Sequence, residues 1–491
     1  MKKYEDSLKK AVEYCQQYVN KRDIFFLIVL ICFSFGIVHL IPKSFDVYYM
    51  AALGEKIVET KSIPFENSLS VLTGAKIVIQ QPLFCVLCYF SQKYFQIIEP
   101  IYIFGTNLAI VIFLYYLAKR KNSSPYKAFV MVSIVVPMIA LFQTMRPMAI
   151  TFILLTIEII VLTKYKEDKN IKVLFALPVV SCLQTNIHAA LLPYFFIFAL
   201  PYLFPNVFIK NRKIFVKELK SSFPIILILL LSFGTSFLNC TQMDAVTWFS
   251  NVSVCAFKNN ISELHSVYES SFIFKIFFAF GLILFIKICV DVYKKRNTIP
   301  VLLLNGGLLI MSFFFIRNIY FLPIGLVQSI FPFPFKKKNI NFILSYSTML
   351  IIIGIVFLLS PKCETPICSS PYKAVIYLNE NNPDAKIMTE PDSGSYFNAY
   401  GYKTDVNSMP ESGFKQMNGI VDIYIENGKA FSDASFTGLY LSKYDINAVL
   451  MCTDPNCQYY SVMSGARNYL HLNKEWKEIN FCKEYSLYIK R

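Results

Sequence analysis

The chain has 491 residues, 55% of them hydrophobic and only 16% charged. A soluble domain carries roughly a quarter charged residues, so this composition excludes one and places the chain in a membrane. A formal net charge of +16 would suit a nucleic-acid binder, but the basic residues fall in short clusters between apolar segments. That is the positive-inside pattern, and it excludes nucleic acid as a partner.

In chain order, segment 1–23 is polar and basic (Lys2, Lys3, Lys9, Lys10, Lys21, Arg22) and is expected to stay cytoplasmic. Ile24–Pro42 is long enough to span outward and to remain as an anchor rather than a cleaved signal. An outer loop, 43–81, follows, with Asp46 a few residues from the bilayer exit. A carboxylate there is costly unless it pairs, meets water or does chemistry. The next stretch, Pro82–Phe95, is ambiguous. If it crossed, the basic cluster Lys119–Lys127 and every later one would lie outside; an interfacial or re-entrant helix restores the charge rule, and we adopt that reading.

Further spans are expected at about 101–118, 128–144, 147–163, 173–187, 189–204, 224–238, 271–291, 299–316, 319–334 and 342–360. The connections near 119–127, 164–172, 205–223, 292–298 and 335–341 are basic and read as inside, with one longer outer loop at 239–270. Several spans are short and carry a nearby Pro, which is tolerated where neighbouring helices or a wet cavity satisfy the backbone. These readings give about eleven transmembrane helices over 24–360, with the N-terminus cytoplasmic.

From Ser360 the composition turns soluble, with turn signals at Asn382-Pro383 and Asp392-Ser393-Gly394. Short β-like runs (Lys386–Met388, Ala448–Met451, Ser486–Ile489) alternate with helical stretches such as Pro371–Asn379. The fold class is thus an all-α polytopic membrane protein with a small C-terminal α/β extracytoplasmic domain, 361–491. The thirteen cysteines are too scattered for a small disulfide scaffold. Cys363/Cys368 and Cys452/Cys457, with Cys482, leave disulfides open in an oxidising compartment. A zinc site is the weaker alternative, since no His lies nearby. Three N-x-[ST] triplets, at Asn239, Asn251 and Asn260, are attributed to chance in an Asn-rich chain.

Sidedness is the main pointer to chemistry. The polar residues in turns between spans nearly all fall on the outer face: Asp46, Glu66, Gln80 and Gln81 in the first loop; Arg146 before Pro147; Asn186 and His188; Glu263 and His265; Arg317 and Asn318. Arg146 and Arg317 break the charge rule. An outer-face guanidinium needs a partner, and its planar fork of donors suits a phosphate. Each residue also has a structural reading. Asp46 caps the helix that follows it, Arg146 snorkels to head groups, and Asn186 and His188 form an interhelical hydrogen-bonded pair. Glu263 and His265 are solvated loop residues. His39 reads as structural, and Glu158 as snorkelling toward the inner face.

These stretches resemble the GT-C-type membrane glycosyltransferases, a superfamily that includes protein O-mannosyltransferases and lipid A aminoarabinose transferases. The nearest pattern is a bacterial branch with an outer C-terminal domain. Its motifs read here as Asp46-Val47-Tyr48-Tyr49 through Gly54-Glu55-Lys56-Ile57, then Ile63-Pro64-Phe65-Glu66, Gln80-Gln81-Pro82-Leu83, Arg146-Pro147-Met148, Asn186-Ile187-His188-Ala189-Ala190 and Arg317-Asn318. The run from Pro383 to Tyr396 is similar to the outer domain. Gln80-Gln81 stand where the branch has His-Glu, and Ala189-Ala190 where it has two glycines.

The resemblance implies an inverting transfer of a sugar from a polyprenyl-phosphate-linked donor to a glycan, lipid or protein acceptor at the outer face of the cytoplasmic membrane. In that reading Asp46 is the catalytic base. Arg146, His188 and Arg317 hold the donor phosphate, and Glu66, Gln80, Gln81, Asn186 and Glu263 support them. No metal ligands are assigned, and a divalent cation remains possible. Two other functions compete. A transporter or flippase of a lipid-linked or anionic substrate would place polar residues at mid-membrane and near both faces. A non-catalytic scaffold would survive the loss of Asp46.

Overall fold

The computed structural model describes residues 21–122, 124–205, 212–239, 244, 265–329, 340–361, 370–455 and 459–491. Helix α1 (Lys21–His39) opens the membrane part. Two short helices follow, α2 (Asp46–Thr60) and α3 (Pro82–Lys93), then α4 (Ile98–Asn122), α5 (Pro125–Ala140) and α6 (Met148–Asp168). Next come α7 (Ala176–His188), α8 (Leu192–Ala199), α9 (Arg212–Lys220), α10 (Phe223–Ser236), α11 (Phe272–Tyr293), α12 (Ile299–Phe314), α13 (Leu322–Leu326) and α14 (Ile340–Leu359). Among the described residues seven helical stretches are long and apolar enough to cross a membrane, and α5 and α12 are shorter apolar helices. The chain is a multi-pass membrane protein.

Side-chain pairs at the helix ends define two faces. At the start of α4, Lys43 pairs with Glu99 at 3.3 Å, beside the loop that holds Asp46. At its far end, about 37 Å away for 25 residues, Asn122 donates to the Ser329 carbonyl and Lys119 pairs with Asp23 at 2.6 Å. Residues 171–203 are helical almost throughout, yet they form two legs. Near one end of α6 Thr151 bonds His188, and near the other Lys166 donates to the Phe204 carbonyl. The chain therefore turns back at His188, as the expected spans 173–187 and 189–204 require. A second hairpin turns at Phe315, and Asn297 donating to the Gln328 carbonyl closes its open end.

Helix α3 is short and has a close neighbour. Its 12 residues reach about 18 Å, too short for an apolar core of about 30 Å. It lies along α2 instead, with Lys93 paired to Glu55. Gly54 makes that contact possible, because a Cβ there would stand 2.1 Å from the Cys85 carbonyl oxygen. The same device joins α1 to α14, where a Cβ on Gly36 would meet the Gly354 carbonyl at 2.5 Å. Small residues let helix backbones approach where lipid offers no hydrophobic drive for association. Glu158 departs from its expected snorkelling. It is fully buried, and neither carboxylate oxygen has a hydrogen-bond partner among the described residues. Its backbone position on α6 is too deep for the short glutamate stem to reach the basic end.

The C-terminal part is a five-stranded sheet with helices on it. Its strands are β1 (Lys386–Met388), β2 (Lys403–Thr404), β3 (Ala448–Cys452), β4 (Trp476–Asn480) and β5 (Tyr485–Lys490), in the order β2-β1-β3-β5-β4. The first three are parallel, and β5 runs antiparallel to both β3 and β4. The sequence reading expects β1, β3 and β5; it misses β2, only two residues long, and β4, whose Trp-Lys-Glu-Ile-Asn has no strong β signal. Helices α15 (Ser370–Asn381) and α16 (Pro391–Ala399) flank β1.

The outer loop joins this sheet. Val71 N–H donates to the Thr404 carbonyl and Thr404 N–H to the Leu69 carbonyl, both at 3.0 Å. Val71, Leu72 and Ala75 are buried in the same apolar core as the strands. Cys363, Cys368, Cys457, Glu263, Asn251 and Asn260 lie outside the described residues, so the disulfide, zinc and sequon readings that involve them do too.

Candidate active site

Each charged residue reaches the Asp46 face through a local break in regular structure. Pro147 starts α6 and forces the turn after α5, so Arg146 sits at the tip of a tight hairpin with its N–H on the Thr144 carbonyl at 2.7 Å. Tyr102 clamps the same tip by donating to the Arg146 carbonyl. Asp46 is the first residue of α2 rather than its cap; the N-cap position is Phe45, with no side-chain capping bond. The Asp46 carboxylate instead meets the Arg146 guanidinium, Nε to Oδ2 at 2.8 Å, and Ser44 Oγ accepts from the same Nε at 2.9 Å. Both side chains are largely shielded, 29% and 18% exposed. Such a pair is screened less than a surface one and costs more to break.

His188 closes the other side. Its Nδ1 shares a hydrogen bond with Thr151 Oγ1 at 2.9 Å, while Gln184 donates to Thr151 and to the His188 carbonyl. The charges of Arg317 and Arg146 both reach the imidazole. Arg317 lies in the short 3-10 turn Ile316–Phe321, whose next residue, Asn318, accepts from Tyr194 and donates to the Met311 carbonyl. The end of the outer loop is pinned here as well. The Gln80 carbonyl accepts the Ala189 N–H at 2.8 Å, and Gln81 donates to the Tyr49 hydroxyl at 3.2 Å.

Asp46, Arg146, His188, Arg317, Gln80 and Gln81 therefore share one face and one neighbourhood. Two predicted residues do not join them. Glu66 is exposed on a small hairpin where it bridges Lys76. Asn186 points the other way, donating to the Cys182 and Leu238 carbonyls at 2.9 Å, so it ties α7 to the end of α10. His265 contributes its carbonyl, which accepts from the Ile316 N–H beside Arg317.

The sequence reading missed the helix that lies over this cluster. Helix α16 packs on α2, with the Tyr48 and Tyr396 rings 4.8 Å apart. Asp392, in its first turn, feels the charge of Arg146 and accepts from Ser408 Oγ at 3.0 Å. Burial pushes the Asp392 carboxyl above its ordinary value; the Ser408 bond and Arg146 oppose this. Glu390 caps α16 by accepting from the Asp392 and Ser393 N–H groups. Burial, with the Asp392 charge adding to it, raises Glu390 to about 7. The run Pro391-Asp392-Ser393-Gly394 was visible as a turn signal, but nothing local tied it to Arg146, 246 positions earlier.

A resident cation needs several converging oxygen or nitrogen donors. Among the described residues no three His, Cys, Asp or Glu side chains stand close enough to hold one. Asp46 is turned to Arg146, and Gln80 and Gln81 offer only neutral amides.

The sequence matches no family model and none of the curated proteins. Its structure resembles the oligosaccharyltransferase of Archaeoglobus fulgidus. The crystal structure of that protein tethered to an acceptor peptide containing the NVT sequon aligns with a TM-score of 0.62 at 11% identity, covering 92% of this chain and 72% of that one. The same protein, AglB, in complex with an inhibitory peptide and a dolichol-phosphate gives 0.61 at 11%, covering 93% and 72%. Its complex with Zn and sulfate gives 0.57 at 10%, covering 89% and 69%. Identity this low carries the fold and not the chemistry. The chain thus shares the fold of that archaeal oligosaccharyltransferase, with a small C-terminal α/β unit seated over the membrane helices.

Proposed function

We propose that this protein is a membrane glycosyltransferase. It moves a sugar from a polyprenyl-phosphate donor to an acceptor hydroxyl at the extracytoplasmic face of the cytoplasmic membrane. The single observation that carries the reading is the shielded Asp46–Arg146 pair at the membrane surface, with His188 and Arg317 beside it and α16 above. The orientation follows from charge. The far ends of α4 and α6 carry Lys119, Arg120, Lys121, Lys164, Lys166 and Lys169, which hold that face in the cytoplasm.

In the resting state Arg146 neutralises Asp46. A donor phosphate entering among Arg146, His188 and Arg317 competes for the guanidinium and frees the carboxylate to meet the acceptor. The acceptor oxygen then attacks the anomeric carbon as its proton passes to Asp46. The bond from that carbon to the phosphate oxygen breaks, and its electron pair leaves with the polyprenyl phosphate. Attack from the side opposite the phosphate inverts the anomeric centre. A positioned base contributes about 10²–10⁴-fold. Each preorganised donor to the leaving phosphate contributes about 10²–10³-fold, and confining the donor to the membrane supplies further rate through proximity.

The test is comparative glycan and glycolipid profiling of deletion, wild-type and Asp46→Asn cells at matched protein levels. The expected result is one product present in wild-type cells and absent from both others. Three coincident profiles would overturn the assignment, and a variant that behaves as wild type while the deletion does not would identify a non-catalytic role.

A further inference from the structure

The face opposite Asp46 holds a charged cavity that the transfer reaction does not use. It encloses about 120 Å³, room for on the order of four waters or one phosphate group. Its charged lining comes from Arg120 and Lys121 at the end of α4 and from Lys166 and Glu167 at the end of α6. Arg120 is neutralised by Glu167. Lys166 is 5% exposed, yet among the described residues its ammonium meets only neutral acceptors, the Phe204 carbonyl at 3.2 Å and Ser222 Oγ at 3.1 Å. Lys121 has neither an ion pair nor a hydrogen bond to any described residue. Of the nearby acids, Asp291 pairs with Lys287 and Glu218 with Lys169. Three cations against Glu167 leave an excess of two positive charges in a half-enclosed space.

Holding uncompensated charge out of water is costly, and an anion that enters relieves the cost. The start of α12 adds to the pull. Thr298, Pro300 and Val301 line the cavity, and Thr298 makes no side-chain capping bond, so the positive end of that helix dipole faces inward. Leu117, Pro300, Val301 and the Tyr202 ring supply the apolar part of the wall, and Thr163 and Gln328 add neutral polar groups. A cationic floor with hydrocarbon walls at a helix end fits a head-group phosphate with its acyl chains alongside, and fits a soluble anion poorly.

We propose that this cavity binds the phosphate of an anionic membrane phospholipid, held by Lys121 and Lys166 at the face opposite the transfer site. The site does not depend on the glycosyltransferase reading. Thermal unfolding of the purified full-length chain tests it in nanodiscs of pure phosphatidylcholine and of phosphatidylcholine with phosphatidylglycerol. A third arm adds inorganic phosphate to the phosphatidylcholine discs. Lys121→Gln and Lys121→Arg are compared with Lys294→Gln, a control on the same face. The expected result is an upward shift of several degrees with phosphatidylglycerol, kept by Lys121→Arg and Lys294→Gln and at least halved by Lys121→Gln. Native mass spectrometry of the wild type should show phosphatidylglycerol retained in preference to phosphatidylcholine. An equal shift in wild type and Lys121→Gln would overturn the proposal. So would a full shift from inorganic phosphate, which would mark a soluble-anion site.

Discussion

The two faces of the membrane part handle charge in opposite ways. On the Asp46 face the charges at the site come from far apart in the chain: Asp46 meets Arg146, and Asp392 feels Arg146 from the C-terminal unit. On the far face cations are many, and pairs form largely between neighbouring helix ends, as with Arg120–Glu167 and Lys169–Glu218. A basic face is what orientation in a membrane demands, so its lysines say little about chemistry. An arginine on the other face works against that demand, and the fold surrounds it with a carboxylate, a histidine and an overlying helix. Charge that violates the topological rule is therefore the more informative kind.

The sharpest way to break this contrast is to remove the Asp46–Arg146 pair. Asp46→Asn and Arg146→Ala should each cut sugar transfer by about 10²–10⁴-fold, read as product formed per unit of folded protein. The double variant should lose much less than the product of the two effects, because the residues act together. Neutralising Lys294 on the far face should leave transfer unchanged.

The C-terminal unit buries a carboxylate of its own. Asp405 is buried in the C-terminal core, where it accepts from Asn427, Tyr440, Thr389 and Val406. Even so, burial raises it from 3.8 to about 7. The folded state thus binds this proton more tightly than the unfolded chain, so the contribution of Asp405 to stability falls as pH rises from about 4 to 7 and is flat above. With about 1.4 kcal/mol per unit, the span is on the order of 4 kcal/mol. Hydrogen exchange of β3 in the full chain should be more protected at pH 5.5 than at pH 7.5, after correction for intrinsic rates. Asp405→Asn should flatten that difference, whereas an unchanged pH profile would refute the assignment.

Smaller effects sharpen the picture. Gly54→Ala should part α2 from α3, since its Cβ would meet the Cys85 carbonyl; overpacking of this kind costs about 1–3 kcal/mol, visible as a lower melting temperature. Asp392→Asn should weaken transfer about tenfold, roughly 1.4 kcal/mol, because it touches the site only through Arg146. A loss as large as that of Asp46→Asn would mean that Asp392 contacts the reacting groups.

Hydropathy and the placement of basic residues are local properties, and they sufficed for much of the architecture. They pointed to a multi-pass helical membrane part and to the soluble character after Ser360. They also placed Asp46, Arg146, His188 and Arg317 on one face, since sidedness follows from counting crossings. Pairing and orientation across the chain were decided only by tertiary structure. Glu66 and Asn186 sit in the right turns, yet one faces solvent and the other bonds α10, because a turn sets a residue's level and not its direction. Residues 69–72 add to the edge of the sheet at Thr404, and α16 brings Asp392 over Arg146; both depend on contacts more than 240 residues apart, which no local pattern encodes. The composition alone determined that this chain lives in a membrane. Only packing decided which charge meets which, because desolvation and Coulomb energy depend on distances that exist solely in the folded state.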